Sequence, residues 1–118
     1  MDLNQLREKG GFVSLTPVSQ EVSWTRPSPE GEDVTDTFTV RIKKFSAGAI
    51  ERLWADSGKA KDQSSSAYLI SKAVFLGDEG EQMLGYDDAF QLDPTLAEAL
   101  IETIDKVNPL KRRKGKND

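Results

Sequence analysis

The apolar positions between residues 93 and 108 repeat at the spacing of an α-helix. Asp93 can accept hydrogen bonds from the first free backbone N–H groups, and Pro94 suits the first helical position because it has no donor to satisfy. The apolar stripe consists of Leu96, Leu100, Ile104 and Val107, with Ala97 and Ile101 beside them. Pro109 disfavours helical geometry at the residue before it, so the helix should end there. The stripe has two interpretations: packing in the core, which is the commoner, or docking of a partner.

Two earlier stretches alternate with a period of two, as β-strands with one buried face do. In residues 12–24 the side chains of Val18, Gln20, Val22 and Trp24 fall on one side, and in residues 35–44 those of Phe38, Val40 and Ile42 do. The intervening residues 25–33 contain two prolines and a glycine, which is typical of a loop. We therefore predict an antiparallel hairpin. Because an isolated hairpin is marginal in water, its apolar face needs helices packed on it.

Two more helices and a smaller hairpin are predicted in the middle of the chain. Ser46 can cap a helix in which Ile50, Leu53 and Trp54 share a face, ending near residues 56–58. A polar connector over 58–66 leads into a helix over about 65–75. Residues 73–76 and 82–86 then flank a glycine-bearing turn. This order predicts an α+β fold of antiparallel hairpins packed with about three helices.

The chain of 118 residues is long enough for one small domain with a modest core. We expect residues 1–11 to form a flexible N-terminal arm, residues 12–110 the single α+β domain, and residues 111–118 a basic C-terminal tail. The start of the chain suggests a complete small protein rather than a fragment.

Composition argues against most catalytic chemistry. The chain has no cysteine and no histidine, which removes disulfides, thiolate zinc sites, cysteine nucleophiles and the usual general base at neutral pH. The acidic turn of Asp78, Glu79 and Glu81 lacks the ligand spacing of a calcium loop. Asp87 and Asp88 could pair as acid and base in a hydrolase, but capping a short helix is their more ordinary role. We therefore expect no metal, no cofactor and no enzymatic activity.

Charge is distributed unevenly along the chain. The formal net charge is -4, made up of +4 in residues 111–118 and -8 in residues 1–110. An acidic body is a poor partner for nucleic acid, because phosphate affinity comes from basic surface. The sequence contains no apolar run of the roughly 20 residues that a membrane helix needs, and it does not begin with a signal peptide. We expect a cytoplasmic protein that binds neither nucleic acid nor membranes.

The order and spacing of several segments resemble the tail assembly chaperones of long-tailed bacteriophages, of the siphophage type related to lambdoid phages. The resemblance covers roughly residues 38–108. The resemblance rests on the following segments: TVRIKKFSAGAIERL at 39–53, AYLISKAVF at 67–75, the turn at 77–80 with Met83 and Leu84, YDDAFQL at 86–92, and residues 96–108.

This resemblance implies a function without catalysis. Such proteins bind the aggregation-prone tape measure protein, keep it soluble and help recruit tail tube subunits in the host bacterial cytoplasm, and they are not part of the finished virion. A longer form is commonly made by ribosomal frameshifting near the end of the short reading frame, where Lys111–Lys116 lies. That longer form and a homo-oligomer are further partners that the resemblance allows.

Candidates for the client surface come from the predicted helices. They are Leu53, Trp54, Tyr68, Leu69, Leu100 and Ile104. For each of them, packing in the core is the commoner role of such a residue. An alternative function is that of a phage structural adaptor, such as a tail-tube or head–tail connector subunit. An adaptor should form rings or tubes and remain in purified particles, whereas a chaperone should be absent from them.

Overall fold

The fold is a four-stranded antiparallel sheet combined with helices, here seen in a computed structural model that describes residues 1–56 and 63–109. The basic tail at 111–118 and residues 58–62 of the predicted connector lie outside the described residues. The elements are α1 (Leu3–Glu8), β1 (Val18–Pro27), β2 (Asp33–Ile42), α2 (Ala47–Asp56), α3 (Ser65–Ala73), β3 (Val74–Leu76), β4 (Gln82–Met83), α4 (Tyr86–Phe90) and α5 (Pro94–Val107). The strand order β1-β2-β3-β4 follows the chain. The predicted α+β class is confirmed, with five helices in the described residues instead of about three.

The strands β1 and β2 extend further toward the turn that joins them than the sequence pattern predicts. The strands pair from Val18 opposite Ile42 to Pro27 opposite Asp33, so the predicted loop at 25–33 shortens to 28–32. Side chains hold the far end together: the hydroxyls of Thr25 and Thr35 lie 2.7 Å apart. The predicted start at residue 12 was wrong, because regular pairing begins only at Val18.

The hairpin has one covered face, as its alternation predicts. Val22, Val40 and Ile42 are buried, whereas the intervening residues of β1 are exposed. The principal core contains Val22, Val40, Ile42, Ala67, Ile70, Ala73, Val74, Ala89, Leu100 and Ile104. It therefore joins the hairpin to α3, α4 and α5.

Helix α5 lies mainly against β1 and α3, and it begins and ends where the sequence predicts. Asp93 caps its first turn, accepting hydrogen bonds from the backbone N–H of Thr95 at 2.9 Å and from the Thr95 hydroxyl. These bonds hold the pKa of the Asp93 carboxyl below its ordinary value. The indole N–H of Trp24 donates to the same Thr95 hydroxyl at 2.8 Å, which joins the helix start to β1.

The other end of α5 is tied to the junction between β2 and α2. The Asn108 side chain accepts a hydrogen bond from the backbone N–H of Phe45 and donates one to the carbonyl of Lys43, both at 2.9 Å. One side chain thus satisfies two backbone groups more than 60 residues away in sequence. The helix is therefore anchored at both ends.

Helices α2 and α3 follow the predicted order with altered limits. The Ser46 hydroxyl accepts a hydrogen bond from the N–H of Ala49, which confirms the predicted cap of α2. Ser64 caps α3 in the same way, accepting from the N–H of Ala67 at 3.1 Å. The predicted end of α3 near residue 75 was wrong, because Val74 is already extended and begins β3.

The predicted small hairpin is present as β3 and β4, joined by a turn with Gly77 and Gly80 at positive φ. Arg41 of β2 donates to the carbonyl of Glu79 at 2.9 Å and approaches that of Asp78. A Cβ at Gly80 would meet the Arg41 side chain at 2.6 Å, so a substitution there would displace that side chain and also strain the backbone.

Two short helices complete the fold. Helix α1 falls in the predicted arm and carries a capping box, in which Asp2 accepts from the Gln5 N–H and the Gln5 side chain accepts from the Asp2 N–H. All of its residues are exposed. Asp87 and Asp88 lie inside the first turn of α4 and do not cap it, since Gly85 holds the cap position.

Candidate functional site

Several depressions of the described surface meet at Tyr68 of α3. Three neighbouring depressions, of about 450, 420 and 280 Å³, each include this tyrosine. We refer to their combined surface as the Tyr68 groove. It is lined by Lys43, Phe45, Ala49, Arg52, Leu53, Trp54, Asp56, Gln63, Ser65, Tyr68, Leu69, Ser71, Lys72, Met83, Leu84, Gly85 and Tyr86.

The first of these depressions, of about 450 Å³, lies between α2 and α3 and is mostly apolar. Leu53, Tyr68 and Leu69 form its walls, and Trp54 stands at its rim with 55% of its surface exposed. Large aromatic side chains that stay accessible beside apolar depressions are typical anchors of protein–protein contacts. This part of the groove can therefore receive an apolar side chain.

The second depression extends the groove toward β4 and α4. Met83 is exposed at its edge, and the Tyr86 hydroxyl accepts a hydrogen bond of 2.7 Å from the backbone N–H of Ser64. That bond links the start of α3 to α4 and so fixes the floor between them. An exposed methionine adapts its shape to different partners, because its side chain is unbranched and polarizable.

The third depression brings basic side chains to the groove. Lys43, Arg52 and Lys72 line it together with one acidic residue, Asp56. The ammonium group of Lys72 lies 5.4 Å from the centre of the Tyr68 ring, so the cation sits over the aromatic face. A basic patch is unusual on a chain whose formal net charge is -4.

Four of the six predicted client-surface residues lie together in this groove: Leu53, Trp54, Tyr68 and Leu69. Leu100 and Ile104 lie elsewhere. Each is only 2% exposed, in the principal core beneath the hairpin. In this fold they support α5 and are not accessible to a partner.

Sequence reasoning missed the residues that β4, α4 and the basic patch contribute. Met83 and Tyr86 were assigned to a hairpin strand, and no local pattern places them beside α3. Lys43 lies in an alternating segment and Lys72 in a helical one, and an exposed lysine is ordinary in both. No local signal in the sequence marks Met83, because its exposure depends on how the chain folds.

The acidic clusters have structural roles in the described residues. The Glu81 carboxylate accepts a hydrogen bond from the Glu79 N–H at 3.0 Å, which closes the turn between β3 and β4. Within residues 1–56 and 63–109, no group of three or more acidic side chains is arranged to hold a metal ion. No helix in these ranges is long and apolar enough to cross a membrane.

A family model described as "Phage tail assembly chaperone, TAC" matches residues 4–108. The chain belongs to the phage tail assembly chaperone family. The match begins well before residue 38, so the N-terminal hairpin is part of the family domain together with the segments that carry the resemblance. No curated protein and no solved structure matches the chain. The role of the family is that of a chaperone, and an accessible groove is compatible with that role.

Proposed function

We propose that this chaperone binds the tape measure protein of the phage tail through the Tyr68 groove. Binding keeps the long client soluble and helps bring tail tube subunits to it. The observation that carries the proposal is the apolar depression between α2 and α3, with the exposed Trp54 at its rim, in a member of the tail assembly chaperone family. Such a surface suits an amphipathic helix laid into a groove.

The chemistry of the groove indicates which client segment would fit. Leu53 and Leu69 offer an apolar wall, so the client should present apolar residues at helical spacing. Lys43, Arg52 and Lys72 line an adjoining depression that shares part of the apolar wall, so carboxylates should flank those apolar residues. A segment of the tape measure protein with both features is the expected ligand.

The remaining parts of the proposal concern the life cycle of the phage. We propose that the protein acts in the host bacterial cytoplasm, is absent from the finished virion and works alongside a longer frameshifted form of itself. Lys111–Lys116, where the shift would occur, lies outside the described residues. The messenger sequence tests this part, because a codon run that cannot re-pair after a one-base slip would exclude the frameshift.

Co-expression with the tape measure protein tests the main proposal. The client should become soluble and co-elute with the wild-type chaperone, and both effects should be lost with Trp54→Ala. The matched control is Phe90→Ala, because Phe90 is 56% exposed and lies outside the Tyr68 groove. Circular dichroism should show that both variants remain folded, since exposed residues contribute little to stability.

Three outcomes would contradict the proposal. The client could stay insoluble with the wild-type chaperone, or Phe90→Ala could reduce co-elution as strongly as Trp54→Ala. Alternatively, the chaperone alone could form rings or tubes and be recovered in purified phage particles. That last result would favour a structural adaptor such as a tail-tube or head–tail connector subunit.

A further inference from the structure

The long edge of the sheet at β1 is distinct from the Tyr68 groove, because no residue of β1 lines that groove. We propose that two copies of this chain associate by antiparallel pairing of their β1 strands, which joins the two sheets into one. The proposal does not depend on the identity of the client. It rests on the open backbone of β1, on its charge and on the apolar residues that precede it.

The backbone of β1 is a template for another strand. β1 is ten residues long and pairs with β2 along its full length without a bulge. Since β1 ends the strand order, alternate N–H and C=O groups point away from the sheet. Within residues 1–56 and 63–109, these groups receive no hydrogen bond from outside the hairpin.

Most of the devices that normally block a sheet edge are missing from β1, which is long, has no bulge and carries only two charged residues. Its sequence VSQEVSWTRP contains no lysine, and its proline is the last residue, where strand pairing ends. The opposite edge is protected by shortness, because β4 has only two residues. The β1 edge of the sheet is therefore long and open, whereas the β4 edge is short.

The distribution of charge makes β1 a better strand for self-pairing than the open part of β2. β2 pairs with β3 only at Arg41 and Ile42, so its earlier residues also have an open side. That stretch carries Asp33 and Asp36, and self-pairing would bring these acidic residues of two copies together. β1 carries one acidic residue, Glu21, and one basic residue, Arg26. Its net charge is zero, so a second copy of β1 meets little repulsion on an otherwise acidic protein.

Uncovered apolar residues lie immediately before β1. Phe12, Val13 and Leu15 are exposed, and Leu15 is 98% exposed. In an antiparallel pair, the start of one strand lies beside the end of the other. The apolar residues of each copy would therefore lie near the far half of the partner strand. Three residues of chain can span about 10 Å, so Leu15 is within reach of that strand.

The alternation of side chains along β1 determines which residues of the two copies share a face of the joined sheet. A two-fold axis perpendicular to the sheet keeps the covered faces of both copies on the same side. Ser19, Glu21, Ser23 and Thr25 of both copies then lie on the common exposed face. Labels at these four positions should report the pairing.

The absence of cysteine makes a direct test practical. Single cysteines are placed at Ser19, Glu21, Ser23 and Thr25, and controls at Thr35, Thr37 and Thr39, which lie opposite three of them within the hairpin. The purified chain, without client, is treated with a thiol crosslinker that spans about 8 Å, the distance between diagonal neighbours across paired strands. Two β2 positions would be about 14 Å apart, from the strand spacing of about 4.8 Å.

We expect at least one β1 position to give about tenfold more crosslinked dimer than its β2 control, given these distances. Light scattering should show the mass of two 13.1-kDa chains, and Ser23→Lys should lower that mass toward the monomer while Thr37→Lys should not. Trp54→Ala should leave the dimer unchanged, which separates this test from that of the groove.

The proposal is overturned if the wild-type chain remains monomeric at high micromolar concentration. It is also overturned if β2 positions crosslink as well as β1 positions. A third contrary result is a monomer whose β1 cysteines crosslink only to the tape measure protein during co-expression, because the occupant of the edge would then be the client.

Discussion

Helices α2 and α5 show the same sequence pattern but have different surroundings. Both are capped by a polar side chain and carry apolar residues at helical spacing. In α5 the apolar side chains of Leu100 and Ile104 are part of the principal core. In α2, Ile50 and Leu53 are buried outside that core, and the neighbouring Trp54 remains more than half exposed. Periodicity therefore predicts that a helix has a packing partner, but it does not identify the partner.

The difference has a structural cause. Helix α5 is held at its start by the contact of Trp24 with Thr95 and at its end by Asn108, so its apolar stripe is fixed across β1. Helix α2 instead contributes Leu53 and Trp54 to a depression that Tyr68 of α3 also lines. We infer that α5 serves stability and that α2 serves recognition.

The largest expected effect is a loss of stability when α5 is truncated in the core. Ile104→Ala should lower the free energy of unfolding by about 3 kcal/mol, because it leaves a cavity in a site that is almost fully buried. The matched change Leu53→Ala on α2 should lower it by about 1–2 kcal/mol, since the side chain borders an open depression. Denaturation with urea measures both values. Equal losses would mean that the two helices do not differ as inferred.

Much of the fold follows from local sequence, and the site follows less well. The cap at Asp93, the end at Asn108 and the alternation of β1 and β2 are visible in short segments and are confirmed. The groove depends on which helices pack against each other, and this is decided by contacts between residues that are far apart in sequence. Leu100 and Leu53 look alike in sequence, yet one is in the core and the other lines the groove.

The lengths of elements were harder to predict for a similar reason. The hairpin extends to Pro27 because side chains 10 residues apart pair across the strands, as Thr25 and Thr35 do. Helix α3 stops at Ala73 because Val74 pairs with Ile42 of β2. In both cases a contact distant in sequence overrides the local pattern.

A smaller effect is expected at the anchor between α5 and β1. Thr95→Val keeps the shape of the side chain but removes the hydroxyl that accepts the Trp24 indole N–H and donates to Asp93. The free energy of unfolding should fall by about 1 kcal/mol, because each of these two exposed hydrogen bonds contributes about 0.5 kcal/mol. The comparison is the loss in unfolding free energy when the Ser46 hydroxyl that caps α2 is removed in the same way. No change with Thr95→Val would show that this contact does not hold the helix start.

The smallest effect is the pH dependence that Asp93 contributes. Hydrogen bonds from Thr95 lower the pKa of the Asp93 carboxyl in the folded chain. Its contribution to stability is therefore complete above the pKa of the unfolded chain and is lost as pH falls through the lowered folded pKa. The stability difference between wild type and Asp93→Asn should be constant near neutral pH and shrink below about pH 4. A difference that grows on acidification would contradict this assignment.

Hydrogen–deuterium exchange on the chaperone alone and in complex with the tape measure protein tests the central claim most directly. Binding in the Tyr68 groove should slow exchange in α2 and α3 and in residues 82–86, and leave α5, which lines no part of the groove, nearly unchanged. Protection confined to β1 or α5, with α2 and α3 exchanging as fast as in the free protein, would contradict the account.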